Sequence, residues 1–266
     1  MVGFTPVTVK RVTKKVAAKP TMAAPSEVLS GARLRRTLKA RLAQAADPAQ
    51  ARGMQAYMKS EMPFMGVKAD AMRAVCKDVF AGVRLTGPED LCREALGVWR
   101  GAVFREERYA AIELTGLRTA RPFQTLETLP MYEELISTGA WWDLVDPVAI
   151  HRLGPLLSRY PEEMTLAMRA WSASDDMWKR RASIICQNAR KADTDRALLY
   201  GCIEPSIGSR EFFLRKAIGW ALREHAKIDG AEVLRYVREK RELLSPLSKR
   251  EALKAQLASG ELEAIP

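Results

Sequence analysis

Residues Trp141-Trp142-Asp143-Leu144-Val145-Asp146 set two of the chain's six tryptophans beside two carboxylates, in a sequence of formal net charge +11. An indole face attracts positive charge and a carboxylate neutralises it, so the pair can hold a cation or a cationic transition state. The same residues have a plainer use. Asp146 precedes Pro147, and Asp-Pro is an ordinary helix start, an N-cap followed by a first-turn proline. Asp143 can be the cap instead, which would leave Asp146 in the first turn. From the residues alone, capping and chemistry both stand open for Asp146.

Other catalytic chemistries find little support. The four cysteines, at 76, 92, 186 and 202, form no C-x-x-C pair, and His151 and His225 are the only histidines. Metal-ligand spacing is missing, and free buried thiols are the expectation. His151 follows Asp146 by five residues, about 140° away from its face on a helix, so the two do not form a catalytic pair. No Gly-rich phosphate loop, nucleophile elbow or zinc-binding H-E-x-x-H occurs.

The elements that must position these residues read as helices. No period-2 strand pattern appears, and amphipathic stretches open at Ser26-Glu27 and at Asp47-Pro48. Further helices are expected near 68–80, 88–100, 104–119, 122–137, 144–158, 161–172, 175–191, 194–204, 210–227, 229–240 and 247–258. Three segments share a charged-small-aliphatic pattern, with Ala111, Ala182 and Ala217 separated by 71 and 35 residues. A period near 35 matches two-helix solenoid repeats, whose equivalent positions stack in rows. Stepping by 35 from Asp146 reaches Arg181 and then Lys216. Lys216, Trp220 and Arg223 share one stripe of a helix, and Trp142 lies one turn before Asp146 if the helix includes both. Trp141 is expected to face the core with Val145, and Trp99, Trp171 and Trp178 are read as packing.

Charge is uneven along the chain. Residues 1–50 carry ten Lys/Arg against Glu27 and Asp47, which leaves +3 for the rest. Residues 1–25 read as a flexible basic tail, and 26–266 as a single domain. Organellar targeting by the basic N-terminus stays open. No apolar run reaches the ~18 residues of a membrane span, and a soluble, cytoplasmic protein is expected.

Four stretches carry a family likeness: Tyr57-Met58-Lys59 through Pro63-Phe64-Met65-Gly66-Val67, Trp141 through Asp146, Trp178-Lys179-Arg180-Arg181-Ala182, and Glu211-Phe212-Phe213 through Glu224. With Leu247 through Ala252, they resemble the AlkD-type alkylpurine DNA glycosylases, a DNA alkylation repair family of HEAT-like helical repeats. The resemblance implies an all-α solenoid with a concave basic DNA-binding face. It implies removal of cationic N3- and N7-alkylated purines from double-stranded DNA, without base flipping, by a bacterial monomer acting at the nucleoid. Asp146 matches the catalytic carboxylate, Trp142 and Trp220 the indoles that pack on the deoxyribose, Arg181 and Arg223 cations that grip DNA, and Tyr57 a residue near the lesion. Lys216 joins the DNA-binding set through its place in the repeat row. No metal and no cofactor are implied. The alternative is a noncatalytic repeat protein that recognises damaged or branched DNA, as some relatives lack the acid. Three features depart from the family pattern: the first 25 residues, Pro147 after the catalytic position, and His225 at a place that is often aromatic.

Overall fold

The computed structural model describes residues 28–266, which form helices joined by turns and loops, with no strand among them. The helices are α1 (Gly31–Gln44), α2 (Pro48–Met58), α3 (Ala69–Phe80), α4 (Pro88–Arg100), α5 (Arg105–Thr115), α6 (Leu129–Gly139), α7 (Trp142–Val148) and α8 (Gly154–Arg159). They continue with α9 (Pro161–Ser172), α10 (Met177–Ile185), α11 (Arg196–Ile203), α12 (Phe212–Ala226), α13 (Gly230–Glu239), α14 (Pro246–Ala252) and α15 (Lys254–Ser259). The basic tail and the Ser26-Glu27 helix opening lie outside the described residues.

Short polar residues set the starts. Asp47 accepts the Ala49 N–H, Asp176 that of Trp178, Asp195 that of Leu198, Asp229 that of Glu232 and Ser245 that of Ser248, each meeting a donor with no intrahelical partner. The Asp47-Pro48 start agrees with the sequence reading. Four expected boundaries move. The helix expected over 104–119 stops at Thr115, ahead of Gly116. The one over 122–137 begins only at Leu129, because Pro122 sits in a 3₁₀ segment, Arg118–Phe123. The one over 175–191 ends at Ile185, where the Gln187 amide turns to bond both backbone groups of Asp195. The last, over 247–258, splits at Leu253.

Each helix packs mainly on near neighbours in the chain: α4 on α5, α9 on α10, α10 on α12, α12 on α14. That is the contact pattern of a helical repeat array. Ala111, Ala182 and Ala217 are all fully buried, on α5, α10 and α12. Trp99, Trp171 and Trp178 are buried in the core that runs the length of the array.

Three consecutive residues of α5 tie neighbouring segments to that core. Glu107 accepts the N–H groups of Val103 and Phe104 and closes its own helix start. Glu106, fully buried, accepts the N–H groups of Met65, Gly66 and Val67 at 2.8–3.1 Å. Arg105 reaches α7, as described below. The loop that Glu106 holds requires Gly66: its φ is +84°, and a Cβ there would stand 2.0 Å from the Asp47 carbonyl oxygen.

Glu106→Ala would leave three buried N–H groups without an acceptor. Destabilisation of about 3–5 kcal/mol is expected, read as a lower denaturation midpoint. An unchanged midpoint would show that the loop does not depend on this carboxylate.

Candidate active site

Helix α6 ends at Ala140 in the left-handed conformation (φ 44°), and the chain restarts at once. Trp141 is extended and stands at the N-cap, with its carbonyl accepting the N–H groups of Leu144 and Val145. Asp146 is therefore the fifth residue of α7 and not its cap, which corrects the capping alternative. Nor is Asp143 the cap: its carboxylate accepts from Arg105 Nε at 2.9 Å, from Arg105 Nη2 and from the Tyr109 hydroxyl. Because α7 includes both residues, Trp142 and Asp146 share a face one turn apart. Trp142 is 36% exposed, Asp146 only 9%.

Pro147 does not prevent helical geometry at Asp146, although proline disfavours it in the preceding residue. Proline has no N–H to give the Asp143 carbonyl, and a single π turn, Ala149–Leu153, follows before α8 resumes. Such turns absorb one extra residue without ending a helix.

Across from Asp146 stands Arg181 of α10. Its Nε donates to Asp146 Oδ1 at 2.8 Å and its Nη2 to Oδ2 at 2.7 Å, a bidentate pair across 35 residues. Arg181 Nη1 donates to the Phe213 carbonyl at 2.7 Å. Burial pushes the Asp146 carboxyl above the ordinary aspartate range. Arg181 opposes that shift, and the nearby Asp143 charge adds to it.

Residues Lys216, Trp220 and Arg223 all lie on α12. The structure does not leave the two cations as open charges next to Asp146. Lys216 Nζ donates to Glu251 Oε1 at 2.9 Å and Arg223 Nη1 to Oε2 at 2.7 Å. The Lys216 bond, with Arg223 adding to it and burial opposing, holds Glu251 below its usual range. Gly219 permits this arrangement, since a Cβ there would lie 2.5 Å from Glu251 Cβ and 2.8 Å from the Ser248 carbonyl oxygen of α14. Trp220 donates its Nε1–H to Glu224 Oε1 at 3.1 Å, which fixes the indole's rotation.

Glu251, Glu224, Arg105 and Tyr109 are partners that the sequence reading did not single out. Glu251 was within its reach, one further step of 35 beyond Lys216. Trp141 packs partly buried against the rings of Trp178 and Phe213, with centroids at 6.0 and 5.1 Å, in keeping with a core role. Tyr57 is 78% exposed on α2 and joins none of the hydrogen bonds that link the others. Among the described residues no cluster of His, Cys, Asp and Glu could hold a metal ion, and no helix is long and apolar enough to cross a membrane.

A family model described as DNA alkylation repair enzyme matches residues 38–255. Among solved structures, the chain is similar to a protein described as a predicted DNA alkylation repair enzyme from Enterococcus faecalis. The two are 28% identical with a TM-score of 0.65, over 79% of this chain and 95% of that one. No curated protein matches the chain.

A carboxyl raised by burial favours the protonated folded state, so its contribution to stability is lost as pH rises from the unfolded value of 3.8 through the folded one. Carbon-13 NMR of labelled aspartate is expected to show Asp146 titrating above 3.8, and higher still in Arg181→Met, which removes the opposing cation. A midpoint at or below the ordinary value would contradict the assignment.

Proposed function

Because this chain belongs to the DNA alkylation repair enzyme family, we propose that it is a DNA glycosylase for cationic N3- and N7-alkylated purines. It would hydrolyse the N-glycosidic bond and leave an abasic site. One observation carries this reading. The Asp146 carboxylate is buried and oriented by a bidentate arginine, with the exposed Trp142 indole one turn away on the same helix.

The chemistry follows from the leaving group. An N-alkylated purine already bears positive charge and departs neutral, so the reaction needs no general acid. Positive charge instead develops on the deoxyribose as the bond breaks, and a fixed carboxylate stabilises that oxocarbenium character and orients water. Two of the roughly four acceptor sites on the carboxylate serve Arg181, and the others remain for water or sugar. The step calls for neither metal nor cofactor.

Trp142 and Trp220 would pack on the sugar of the damaged nucleotide, with Tyr57 nearby, and the base would stay in the stack instead of being flipped. Arg181 would hold Asp146 as it lies near the backbone. Lys216 and Arg223 each commit one N–H group to Glu251, and their others would serve phosphates along the concave face that this reading expects. Double-stranded DNA is the partner in this reading, and one chain suffices.

The engagement of both Asp146 oxygens by Arg181 favours a second reading, a noncatalytic binder of damaged DNA. Release of 7-methylguanine and 3-methyladenine from methylated duplex separates the two, after correction for spontaneous loss. Wild type is expected to release both, and Asp146→Asn to lose at least about a hundredfold in rate with its circular dichroism intact. Equal rates would remove Asp146 from the chemistry. Salt-sensitive binding by wild type without any release would establish the binder.

The rate should also depend on pH in one direction. Only the ionised Asp146 acts, so activity falls as pH drops through its raised value, on an acid limb above the ordinary 3.8. A rate flat down to that value would contradict this role.

A further inference from the structure

Away from Asp146, between the end of α5 and the α7–α8 segment, lies a cavity of about 540 Å³. Arg121, Arg152, Arg159 and His151 line it together with apolar Pro155 and Leu156, and no carboxylate does. Arg159 follows Asp146 by 13 residues along nearly continuous helix. At 1.5 Å per residue the far end of the cavity is about 20 Å from the candidate active site.

The three guanidinium groups differ in what they have left to give. Arg152 forms the floor. Its Nε donates to Thr115 Oγ1 at 2.8 Å, its Nη2 to the Ile112 carbonyl at 3.2 Å and its Nη1 to the His151 carbonyl at 3.0 Å. None of these acceptors is charged, and burial pushes the Arg152 guanidinium below its usual value. Arg159 Nη1 donates to the Gln124 carbonyl at 2.9 Å, and the guanidinium stacks over Tyr160, leaving Nε and Nη2 unengaged. The Arg121 side chain bonds to nothing among the described residues. No ion pair among those residues involves any of the three. Elsewhere in the same protein, the buried Arg105 and Arg181 are each matched by an acid, Asp143 and Asp146, whereas Arg152 is partly buried and Arg121 and Arg159 are exposed without such a partner.

Arg121 and Arg159 are exposed, while Arg152 is largely desolvated, and Glu113, an acid whose charge reaches it, does not line the cavity, so an anion seated there would offset the three like charges. Planar guanidinium forks suit phosphate oxygens, which accept two parallel N–H bonds. The volume falls in the usual range for small-molecule sites, and the Pro155–Leu156 wall offers apolar surface to an organic body. We propose that this cavity binds a phosphate-bearing anion of mononucleotide size, separately from the DNA that the candidate active site would engage.

Isothermal titration calorimetry on the full chain tests this with AMP, inorganic phosphate and adenosine as probes. AMP is expected to bind once per chain with Kd below about 1 mM, phosphate more weakly and adenosine not at all. The variant Arg121→Gln/Arg159→Gln changes two exposed side chains and should keep its fold. Its AMP affinity should drop by about tenfold or more, while release of methylated bases stays at the wild-type rate. No binding of AMP by wild type, or equal affinity in the variant, would overturn the proposal. Unmodified duplex serves as the other arm. The variant is expected to keep wild-type duplex affinity and salt dependence. A loss of duplex affinity with a salt slope shallower by about two would assign both arginines to the DNA footprint and overturn the separate site.

Discussion

The guanidinium of Arg181 is the constraint from which the rest of the site follows. It ties three helices together: rooted in α10, it carries a bidentate bond to Asp146 on α7 and donates to the Phe213 carbonyl in the first turn of α12. Removing either charged partner would leave the other buried without compensation, a cost of about 3–5 kcal/mol that far exceeds a surface ion pair. The position of the carboxylate is therefore set jointly by three successive parts of the array and not by α7 alone. That explains how Asp146 stays helical in front of a proline, and why it remains in place at only 9% exposure.

A second consequence concerns charge. The sequence suggests one acid in a row of cations, but the structure distributes acids among the cations nearly one for one. Asp143 matches Arg105, Asp146 matches Arg181, and Glu251 serves both Lys216 and Arg223. Most of the formal excess lies in residues 1–50. The candidate face is thus a set of oriented donors with modest net charge. Donor geometry rather than bulk attraction is what such a face offers a polyanion.

Much of this was legible in the sequence, for physical reasons. Helix starts were readable where Asp or Ser precedes a first turn, because a local side chain satisfies a local donor, as at Asp47. The step from Asp146 to Arg181 was readable because a repeat brings equivalent positions into contact. Three things were not. The helix ends depend on nonlocal bonds, as when Gln187 captures Asp195. The role of Asp146 within α7 depends on the left-handed Ala140 that ends the previous helix, and nothing near Asp146 signals it. The step of 35 reaches position 251, but not the fact that its carboxylate bonds both cations of α12, which depends on how closely α14 approaches where Gly219 lacks a side chain. Such partners are fixed by how closely two backbones pack, which periodicity alone does not encode.

The π turn at Ala149–Leu153 gives one rod of polypeptide two phases. An added residue within a turn advances everything downstream by about 100° relative to unbroken helix. Residues ahead of the turn are indexed to the carboxylate and Arg181. Those behind it are indexed to the arginine-lined cavity. Inserting a single residue there would misphase one surface against the other while leaving every existing side chain in the sequence intact. In this segment, length is as much a determinant as composition.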